Sequence, residues 1–241
     1  MFGWINPGND LSIYNNFAEE WWRPGAPRFR SLQNITPFRL ELIRAGCGEV
    51  RDRTVYDLGC GGGLIAVPLL DAGADVVGVD LSGESIKAAR RAARGRGRFF
   101  VGDARSVPLP DGSADIVLLA DVIDHISDYP RAIDEASRLL KPGGRLFVGT
   151  LNRTFRSLIG AIILGEGLRL IPPGTHRHSL FVTPEELMSV ADARGLRFVE
   201  SFGEEVCVRE TIRRWAITLK RGKSLALAFS MVFSRGEKCA R

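Results

Sequence analysis

Residues 54–64 read TVYDLGCGGGL, a short apolar run followed by four glycines within five positions. β-Branched and apolar residues that end at a glycine are typical of a buried strand and the turn behind it. Glycine can take up positive φ angles, and without a Cβ it lets the backbone come close to a ligand. Phosphate, dinucleotide and sulfonium-nucleoside sites all use such turns, and a tight turn without a ligand is the remaining alternative.

Strand and helix patterns alternate along most of the chain. Five strands separated by helices are predicted at 54–60, 75–80, 98–104, 114–121 and 145–152. This alternation predicts an α/β fold, in which a mostly parallel sheet carries helices on both faces. Two late strands, LRFVESFG (196–203) and SLALAFSMVF (224–233), are candidates for an antiparallel pair.

The chain has no internal repeat, low-complexity tract or linker, which indicates one domain over 1–241. Residues 1–50 are predicted to form a helical N-terminal cap that is broken at RPGAP (23–27). Residues 153–182 lie between the fifth strand and a new helix, and we interpret them as a helical lid insert. That new helix begins at Thr183, which is a favourable N-cap.

The composition excludes several classes of protein. Apolar residues make up 45% of the 241 positions, enough for a globular core. No apolar run reaches the roughly 18–20 residues that span a bilayer, and the N-terminus lacks the order of a secretory signal. The cysteines show neither metal-ligand spacing nor a disulfide framework, which favours the reducing cytoplasm. They are Cys47, Cys60, Cys207 and Cys239.

The positive charge of the chain is concentrated in one stretch. The net charge is +5 and the pI about 9.3, which allows an acidic partner without requiring one. Residues 90–98 hold much of this excess as arginines, and we interpret them as the solvated end of a helix. Because no aromatic residue interleaves with these arginines, a nucleic-acid partner is not expected.

The positions around the glycines separate the ligand classes. Leu64 takes the third glycine position of the dinucleotide fingerprint, and no Gly-Lys-Ser/Thr follows as in nucleotide hydrolases. Asp80 ends the second strand, about 20 residues beyond the turn, where a carboxylate can accept from two ribose hydroxyls. Asp103 ends the third strand, where it can accept from an adenine amino group. Together they describe an adenosine site without a pyrophosphate, and S-adenosylmethionine fits that description.

Several motifs of the sequence together resemble those of a known family. YDLGCGGG (56–63), Asp80, Asp103 and LKPGGRLFVGTLNR (140–153) are similar to the class I S-adenosylmethionine-dependent methyltransferases. The resemblance is closer to one branch, the ubiquinone-biosynthesis O-methyltransferases, and covers about residues 15–200. Its most specific motifs are the Trp21–Trp22 pair, the Asn-x-x-Pro-x-Arg stretch that ends at Arg39, and PPGTH (172–176).

The resemblance implies a seven-stranded, mostly parallel Rossmann-like sheet whose last strand runs antiparallel. It also implies that Gly59 and Gly61 pass beneath the methionine part of the cofactor and that Asp80 holds the ribose. Arg39 would reach the methionine carboxylate, a natural partner for a guanidinium, although a surface cation is the alternative. The cofactor-binding set that it implies is Arg39, Asp57, Gly59, Gly61, Asp80, Leu81, Asp103, Ala104 and Ala120.

The motif after the fourth strand departs from the family pattern. Where the family carries Glu-x-x-Glu-His, this chain has Asp121-Val122-Ile123-Asp124-His125. In relatives the trio has been linked to a divalent cation, so a Mg²⁺ site at Asp121, Asp124 and His125 is an open alternative. A protonated phenol is a poor nucleophile, and His125 is the predicted base that removes its proton. Asp121 or Asp124 would orient this imidazole, whereas a histidine that only caps the loop is the alternative.

The lid is predicted to contribute to the acceptor site. His176, within PPGTH, and Asn152 are placed at the acceptor, and His178 is a further candidate base. Residues 155–172 combine an apolar run with arginines, a composition that suits peripheral contact with an anionic membrane surface. An ordinary lid that packs on its own domain is the other interpretation.

The family implies an activity, S-adenosylmethionine-dependent O-methylation of a phenol or catechol hydroxyl on a polyprenylated ubiquinone precursor. Another small aromatic acceptor, an RNA or protein substrate, and a binding module without catalysis are the alternatives. LLADVIDH (118–125) lacks the Asn/Asp-Pro-Pro-aromatic motif of base-amine methyltransferases, and no cysteine follows a proline as cytosine C5 enzymes require. We expect a cytoplasmic protein with peripheral contact at the inner membrane surface.

Overall fold

A computed structural model describes residues 12–236. The strands are β1 (Thr54–Leu58), β2 (Asp75–Asp80), β3 (Arg98–Val101), β4 (Ala114–Ala120), β5 (Leu140–Leu151), β6 (Leu196–Val206), β7 (Leu219–Gly222) and β8 (Ala228–Arg235). The helices are α1 (Ser12–Asn16), α2 (Arg30–Cys47), α3 (Ala66–Asp71), α4 (Gly83–Ala93), α5 (Tyr129–Leu139), α6 (Phe155–Ser157), α7 (Pro184–Asp192) and α8 (Val208–Arg214). The chain continues from α6 as a π-helical segment, Leu158–Glu166.

The eight strands form one sheet in the order β3-β2-β1-β4-β5-β8-β6-β7. Strands β1 to β5 are parallel, and β8 lies antiparallel between β5 and β6. The predicted α/β class and the antiparallel pairing of the two late strands are therefore confirmed.

The prediction of seven strands is wrong by one edge strand. β7 pairs antiparallel with the end of β6, where Glu204 is opposite Arg221. Its sequence, LKRG, has a single apolar residue, so it lacks the alternation by which a half-buried strand is found. KPGG (141–144), which precedes the strand predicted at 145–152, lies within β5.

Alternation along the strands divides the core between the two faces of the sheet. Leu146 and Val148 of β5 pack with α5 and α7, while Phe147 between them packs with α2, α3 and α4. A period of two places successive side chains on opposite faces, so every central strand contributes to both layers. Helices on both faces, as predicted, follow from this burial.

The predicted caps are present. Thr183 accepts from the Glu186 N–H and forms a capping box, and Ser82 accepts from the Ser85 N–H at the start of α4. The arginines that follow are paired within the chain: Arg91 with Glu19 at 2.9 Å and Arg96 with Asp71 at 2.7 Å. These pairs support the interpretation of 90–98 as a solvated helix end.

The N-terminal cap consists of α1, a 3₁₀ turn (Ala18–Glu20) and α2, with the predicted break between the turn and α2. Residues 1–11, with the start of the predicted cap, and Cys239 lie outside the described residues. Within 12–236 the cysteines Cys47, Cys60 and Cys207 are free thiols. Between residues 12 and 236, no helix combines the length and the apolar character needed to cross a bilayer.

Candidate active site

A cavity of about 1200 Å³ opens at the carboxyl ends of the parallel strands. Its walls come from the N-terminal cap, the glycine turn after β1, the loop after β4, and the lid. Pockets for one small molecule commonly measure about 300–1,000 Å³, so this cavity can hold a nucleoside cofactor together with an acceptor. The edge of the sheet is where parallel α/β folds bind ligands.

The glycine turn is shaped by packing against the N-terminal cap. Gly59 and Gly61 have φ angles of 84° and 51°, which side chains rarely adopt. A Cβ on Gly61 would lie 2.7 Å from the Trp21 ring, and one on Gly62 would overlap the same indole. Gly61 and Gly62 therefore lack side chains at least partly because Trp21 occupies that space. The sequence does not reveal this requirement.

The tryptophan pair holds the N-terminal cap against this turn. Trp21 stacks on Phe29 with ring centroids 4.0 Å apart, and its Nε1 donates to Ser85 Oγ at 3.0 Å. Trp22 Nε1 donates to the Gly62 carbonyl at 2.8 Å. This pair, one of the three motifs most specific for the family, thus holds the cap against the glycine turn.

Asp80 and Asp57 lie side by side beneath the turn. Asp80 accepts from the Gly61 and Ser82 N–H groups, each at 2.8 Å, and it lines the cavity. Asp57 is buried, and its Oδ2 has no hydrogen-bond partner within 12–236. Burial and the neighbouring Asp80 charge raise the pKa of Asp57 to about 7. A buried acceptor without a partner fits a ligand that brings a donor, such as the ammonium or hydroxyl groups of the cofactor.

Asp103 also lines the cavity, but Arg105 already binds it. Arg105 Nε donates to Oδ1 at 2.9 Å, and Nη2 donates to Oδ2 at 2.6 Å. Burial alone would raise the pKa of Asp103, but the hydrogen bonds from Arg105 lower it. A carboxylate has about four lone-pair sites, so an adenine amino group can still be accepted. Leu81, Ala104 and Ala120 lie along the same cavity wall.

Arg39 is not a surface cation. It is buried in α2, and its guanidinium pairs with Asp121 at 2.5 Å and with Glu204. Burial opposes its charge, but the carboxylates of Asp121 and Glu204 more than offset this and raise the pKa of Arg39. Asp121, at a φ of 57°, is held in the left-handed region beside it.

His125 clusters with Asp124 and with His176 of the lid, and not with Asp121. Ligand atoms of Asp124, His125 and His176 lie within 4.8 Å of one another, and the two imidazoles stack at 5.3 Å. Burial lowers the pKa of His125, although the Asp124 charge opposes this, so the ring is neutral near pH 7. His176 Nδ1 lies 3.1 Å from Glu166 Oε1 in the π-helical segment. A neutral imidazole with a buried carboxylate beside it can accept a proton.

The predicted cation trio does not converge. Asp121 binds Arg39, and the cluster that forms in its place has two imidazoles and one carboxylate. Mg²⁺ prefers oxygen ligands at octahedral geometry, so these donors do not match it. Two imidazoles and a carboxylate suit borderline metals such as Zn²⁺ or Fe²⁺ better.

Two further predicted residues lie away from the cavity. Asn152 is buried and donates from Nδ2 to the Leu225 carbonyl at 2.9 Å, which ties the end of β5 to the chain before β8. His178 Nε2 lies 2.9 Å from the Thr154 carbonyl. Neither residue belongs to the cavity wall, whereas His176 does.

Three residues of the site were not predicted from the sequence. Glu204 is fully buried at the cavity wall, Glu166 orients His176, and Tyr14 lines the cavity from α1. Glu204 lies one residue beyond the strand predicted at 196–203, and a charged residue at that point does not indicate burial, since charged side chains are rarely buried without a partner. No sequence pattern around Tyr14 indicates a role in the site, because only the docking of α1 brings it there.

Comparison with known proteins agrees with this geometry. Residues 56–148 match the family model described as a methyltransferase domain. The ubiquinone biosynthesis O-methyltransferase of Bordetella avium is 38% identical over 194 residues, which cover 78% of this chain and 79% of that protein. The protein of the same name from Nitrosomonas europaea is 35% identical, with 78% and 81% covered.

Solved structures share the fold. A methyltransferase from Thermotoga maritima superimposes with a TM-score of 0.67 at 24% identity, covering 92% of this chain and 98% of the other. The magnesium protoporphyrin IX methyltransferase of Synechocystis, solved with bound S-adenosylmethionine, gives 0.62 at 17% identity, covering 93% and 94%. The chain belongs to the ubiquinone biosynthesis O-methyltransferase family and is an S-adenosylmethionine-dependent methyltransferase.

Proposed function

We propose that the protein methylates a phenolic hydroxyl of a polyprenylated ubiquinone precursor. One observation carries this proposal: the neutral His125 lines a cavity of about 1200 Å³ whose wall has a polar part, with Asp57, Asp80 and Asp103, and an aliphatic part. The names and the identity of the curated relatives support the same acceptor class.

The polar part is where the cofactor is proposed to bind. Gly59 and Gly61 line this part and are proposed to allow close approach of the methionine part, and Asp80 is proposed to accept from the ribose. Arg39 is proposed to donate to the methionine carboxylate, and Asp57 Oδ2 to accept from a donor of the cofactor. When bound, S-adenosylmethionine supplies a methyl group that its positive sulfur has already activated.

The histidine is proposed to act as the base. His125 Nε2 would take the proton of the phenol as the phenolic oxygen bonds to the methyl carbon and the carbon–sulfur bond breaks. The bond electrons stay on sulfur, so the products are the aryl methyl ether, S-adenosylhomocysteine and protonated His125. Asp124 Oδ2, at 3.9 Å from His125 Nε2, would stabilise the imidazolium. The proposed steps use His125 as the base and Asp124 as its partner, so a cation bound to these same side chains is not part of them.

The apolar part is proposed to hold the prenylated end of the acceptor. It lies between α2, the lid and the late strands, and its wall is aliphatic: Ile35, Leu151, Leu170, Ile171, Ile217, Leu219 and Leu227. Aliphatic burial stabilises a ligand by about 25 cal/mol per Å², so each isoprene unit that enters adds affinity. A small aromatic without a tail would leave this wall hydrated.

The lid is proposed to rest on an anionic membrane surface. Its apolar side chains Ile163, Leu164 and Leu168 are about half exposed, at 55%, 50% and 49%. Arg156 and Arg169 are exposed in the same segment. Such a surface would let a prenylated acceptor pass from lipid into the cavity, at the cytoplasmic face of the membrane. The free thiols of Cys47 and Cys60 support the cytoplasmic side.

We further propose that the cap, the sheet and the lid work as one domain, because residues of all three line the cavity.

The proposed function is tested by a coupled assay of S-adenosylhomocysteine release from purified protein. The acceptors are a polyprenyl catechol, the same catechol without its tail, and transfer RNA. Turnover of the prenylated catechol with a kcat/KM at least tenfold above the tail-less one is expected. Preference for the tail-less catechol supports another small aromatic, and turnover of RNA alone overturns the proposal.

A further inference from the structure

Tyr14 reaches the cofactor part of the cavity from the N-terminal cap. Helix α1, which carries it, is tied to the first turn of α4 by two side chains that are themselves fully buried. Ser82 Oγ donates to Asn15 Oδ1 at 2.8 Å, and Ser85 Oγ donates to the Tyr14 carbonyl at 3.4 Å. Because α4 begins directly after Asp80, these bonds hold Tyr14 next to the predicted ribose site.

The ring of Tyr14 is positioned by aromatic neighbours. It stacks on Trp21 with centroids 6.0 Å apart and an interplanar angle of 16°, and on Phe29 at 6.2 Å and 24°. Trp21 in turn packs on the glycine turn. Offset stacking of this kind limits the ring to one orientation. The hydroxyl, by contrast, has no hydrogen-bond partner in the part of the chain that the structure describes.

Tyr14 lines the same cavity as Asp80 on one side of the site and Asp124 on the other. Burial raises the pKa of Tyr14, and the carboxylates of Asp80, Asp124 and Asp121 raise it further. Asp80 marks the ribose end of the cofactor, and Asp124 stands beside the proposed base. Because Tyr14 shares one cavity wall with Asp80 and Asp124, its hydroxyl can reach a cofactor that extends from the ribose site towards the acceptor. It also remains a neutral hydroxyl throughout the physiological pH range.

We infer that the Tyr14 hydroxyl oxygen contacts the sulfonium centre of bound S-adenosylmethionine. This inference rests on the proposed cofactor site. The sulfur joins the ribose to the methionine chain and carries the methyl group, so it must lie between Asp80 and His125. The lone pairs of a neutral hydroxyl are attracted to the positive sulfur and its polarised methyl group.

This contact distinguishes the cofactor from its product. S-Adenosylhomocysteine has the same nucleoside and amino acid but a neutral sulfur, so the attraction disappears once the methyl group has been transferred. Tyr14 therefore favours binding of the substrate cofactor over the product. A purely structural role, in which the ring only supports Trp21, affects both ligands equally.

Calorimetric titration of wild type and Tyr14→Phe with both ligands tests the inference. The variant keeps the stacked ring and loses only the hydroxyl. We expect its affinity for S-adenosylmethionine to fall roughly 5- to 20-fold, the size expected for a contact to a charged group. Its affinity for S-adenosylhomocysteine should change less than about twofold, and its unliganded melting temperature should match wild type.

Tyr129→Phe is the matched control, because Tyr129 lies on α5 outside the cavity wall. It should leave both affinities unchanged. Equal losses for both ligands in Tyr14→Phe, or no loss for either, overturn the inference while the cofactor site stands. A wild-type protein that binds neither ligand overturns the inference and the proposed function together.

Discussion

Arg39 and Asp121 form a two-point ion pair at the centre of the site, with Nη2 to Oδ1 at 2.5 Å and Nε to Oδ2 at 3.2 Å. Nη1 of the same guanidinium donates to Glu204 and to Ser230 Oγ. Two N–H groups on Nη1, one on Nη2 and one on Nε are thus engaged, out of the five in a guanidinium. Within residues 12–236, one N–H on Nη2 remains for the carboxylate that Arg39 is proposed to bind, and a second becomes available only if Asp121 moves.

Removing this cation should be costly. Arg39→Ala would leave Glu204 buried beside Asp121 without a positive partner, and we expect a loss of about 3–5 kcal/mol in the free energy of unfolding. Urea denaturation measures it. Arg39→Ala combined with Glu204→Ala should cost clearly less than the sum of the single changes, because the pair is coupled. The exposed Arg213→Ala, which breaks a surface pair with Glu210, should give no measurable change. Additive losses would contradict the coupling.

Asp57 should make stability fall as the pH rises. Its pKa of about 7 in the folded protein exceeds the unfolded value near 3.9, so the folded state binds more protons between these values. Stability that Asp57 contributes at pH 4 is therefore lost as the pH approaches 7. Asp57→Asn keeps the shape without the charge. We compare the free energy of unfolding of this variant with that of wild type at each pH. The difference should favour the variant by on the order of a few kcal/mol more at pH 8 than at pH 5, as measured by urea denaturation. An unchanged difference between the two pH values would show that Asp57 ionises normally.

His125→Ala should lower turnover without weakening cofactor binding. Loss of a base costs about 10²- to 10⁴-fold in kcat, and the loss should shrink toward pH 10, where the phenol ionises by itself. Because the pKa of His125 is lowered, wild-type kcat/KM should reach its plateau at a lower pH than an ordinary imidazole would give. His178→Ala is the matched control, since that ring lies outside the cavity wall. Turnover of His125→Ala at the wild-type rate across this range would exclude it as the base.

Gly62 and Trp21 should be energetically coupled. A Cβ on Gly62 would overlap the Trp21 indole, so Gly62→Ala should displace the ring and cost about 1–3 kcal/mol. In a Trp21→Ala background the space is open, and the same change should be nearly neutral. Thermal and urea unfolding of the four proteins of this cycle give the coupling. Equal costs in both backgrounds would mean that Gly62 is needed for the ligand rather than for Trp21.

The lid should contribute to membrane binding through its exposed apolar side chains. Ile163→Ser, Leu164→Ser and Leu168→Ser together should reduce flotation with phosphatidylglycerol vesicles by roughly tenfold or more. Phe198→Ser with Val199→Ser removes apolar surface of similar exposure from β6 and serves as the control. If both sets reduce flotation equally, the contact is not specific to the lid.

The sequence by itself determined the sheet and the cofactor. Short apolar and β-branched runs that end in glycines or acids are local signals, and they located β1 to β5, the late antiparallel pair, the glycine turn and Asp80. The family motifs identified the branch, because Trp21–Trp22 and PPGTH are rarer than a glycine turn. β7 was missed, since LKRG carries no alternation to detect.

Only the tertiary structure decided how the charged groups are paired. Asp121 and Asp124 are three positions apart in one motif. Asp121 binds Arg39 of α2, whereas Asp124 lies beside His125 and beside His176, which belongs to the lid. Glu204 and Tyr14 join the site from β6 and α1, far away in the chain. Such pairings depend on which elements dock above the sheet edge, and electrostatic attraction between distant segments leaves no periodic trace in the sequence.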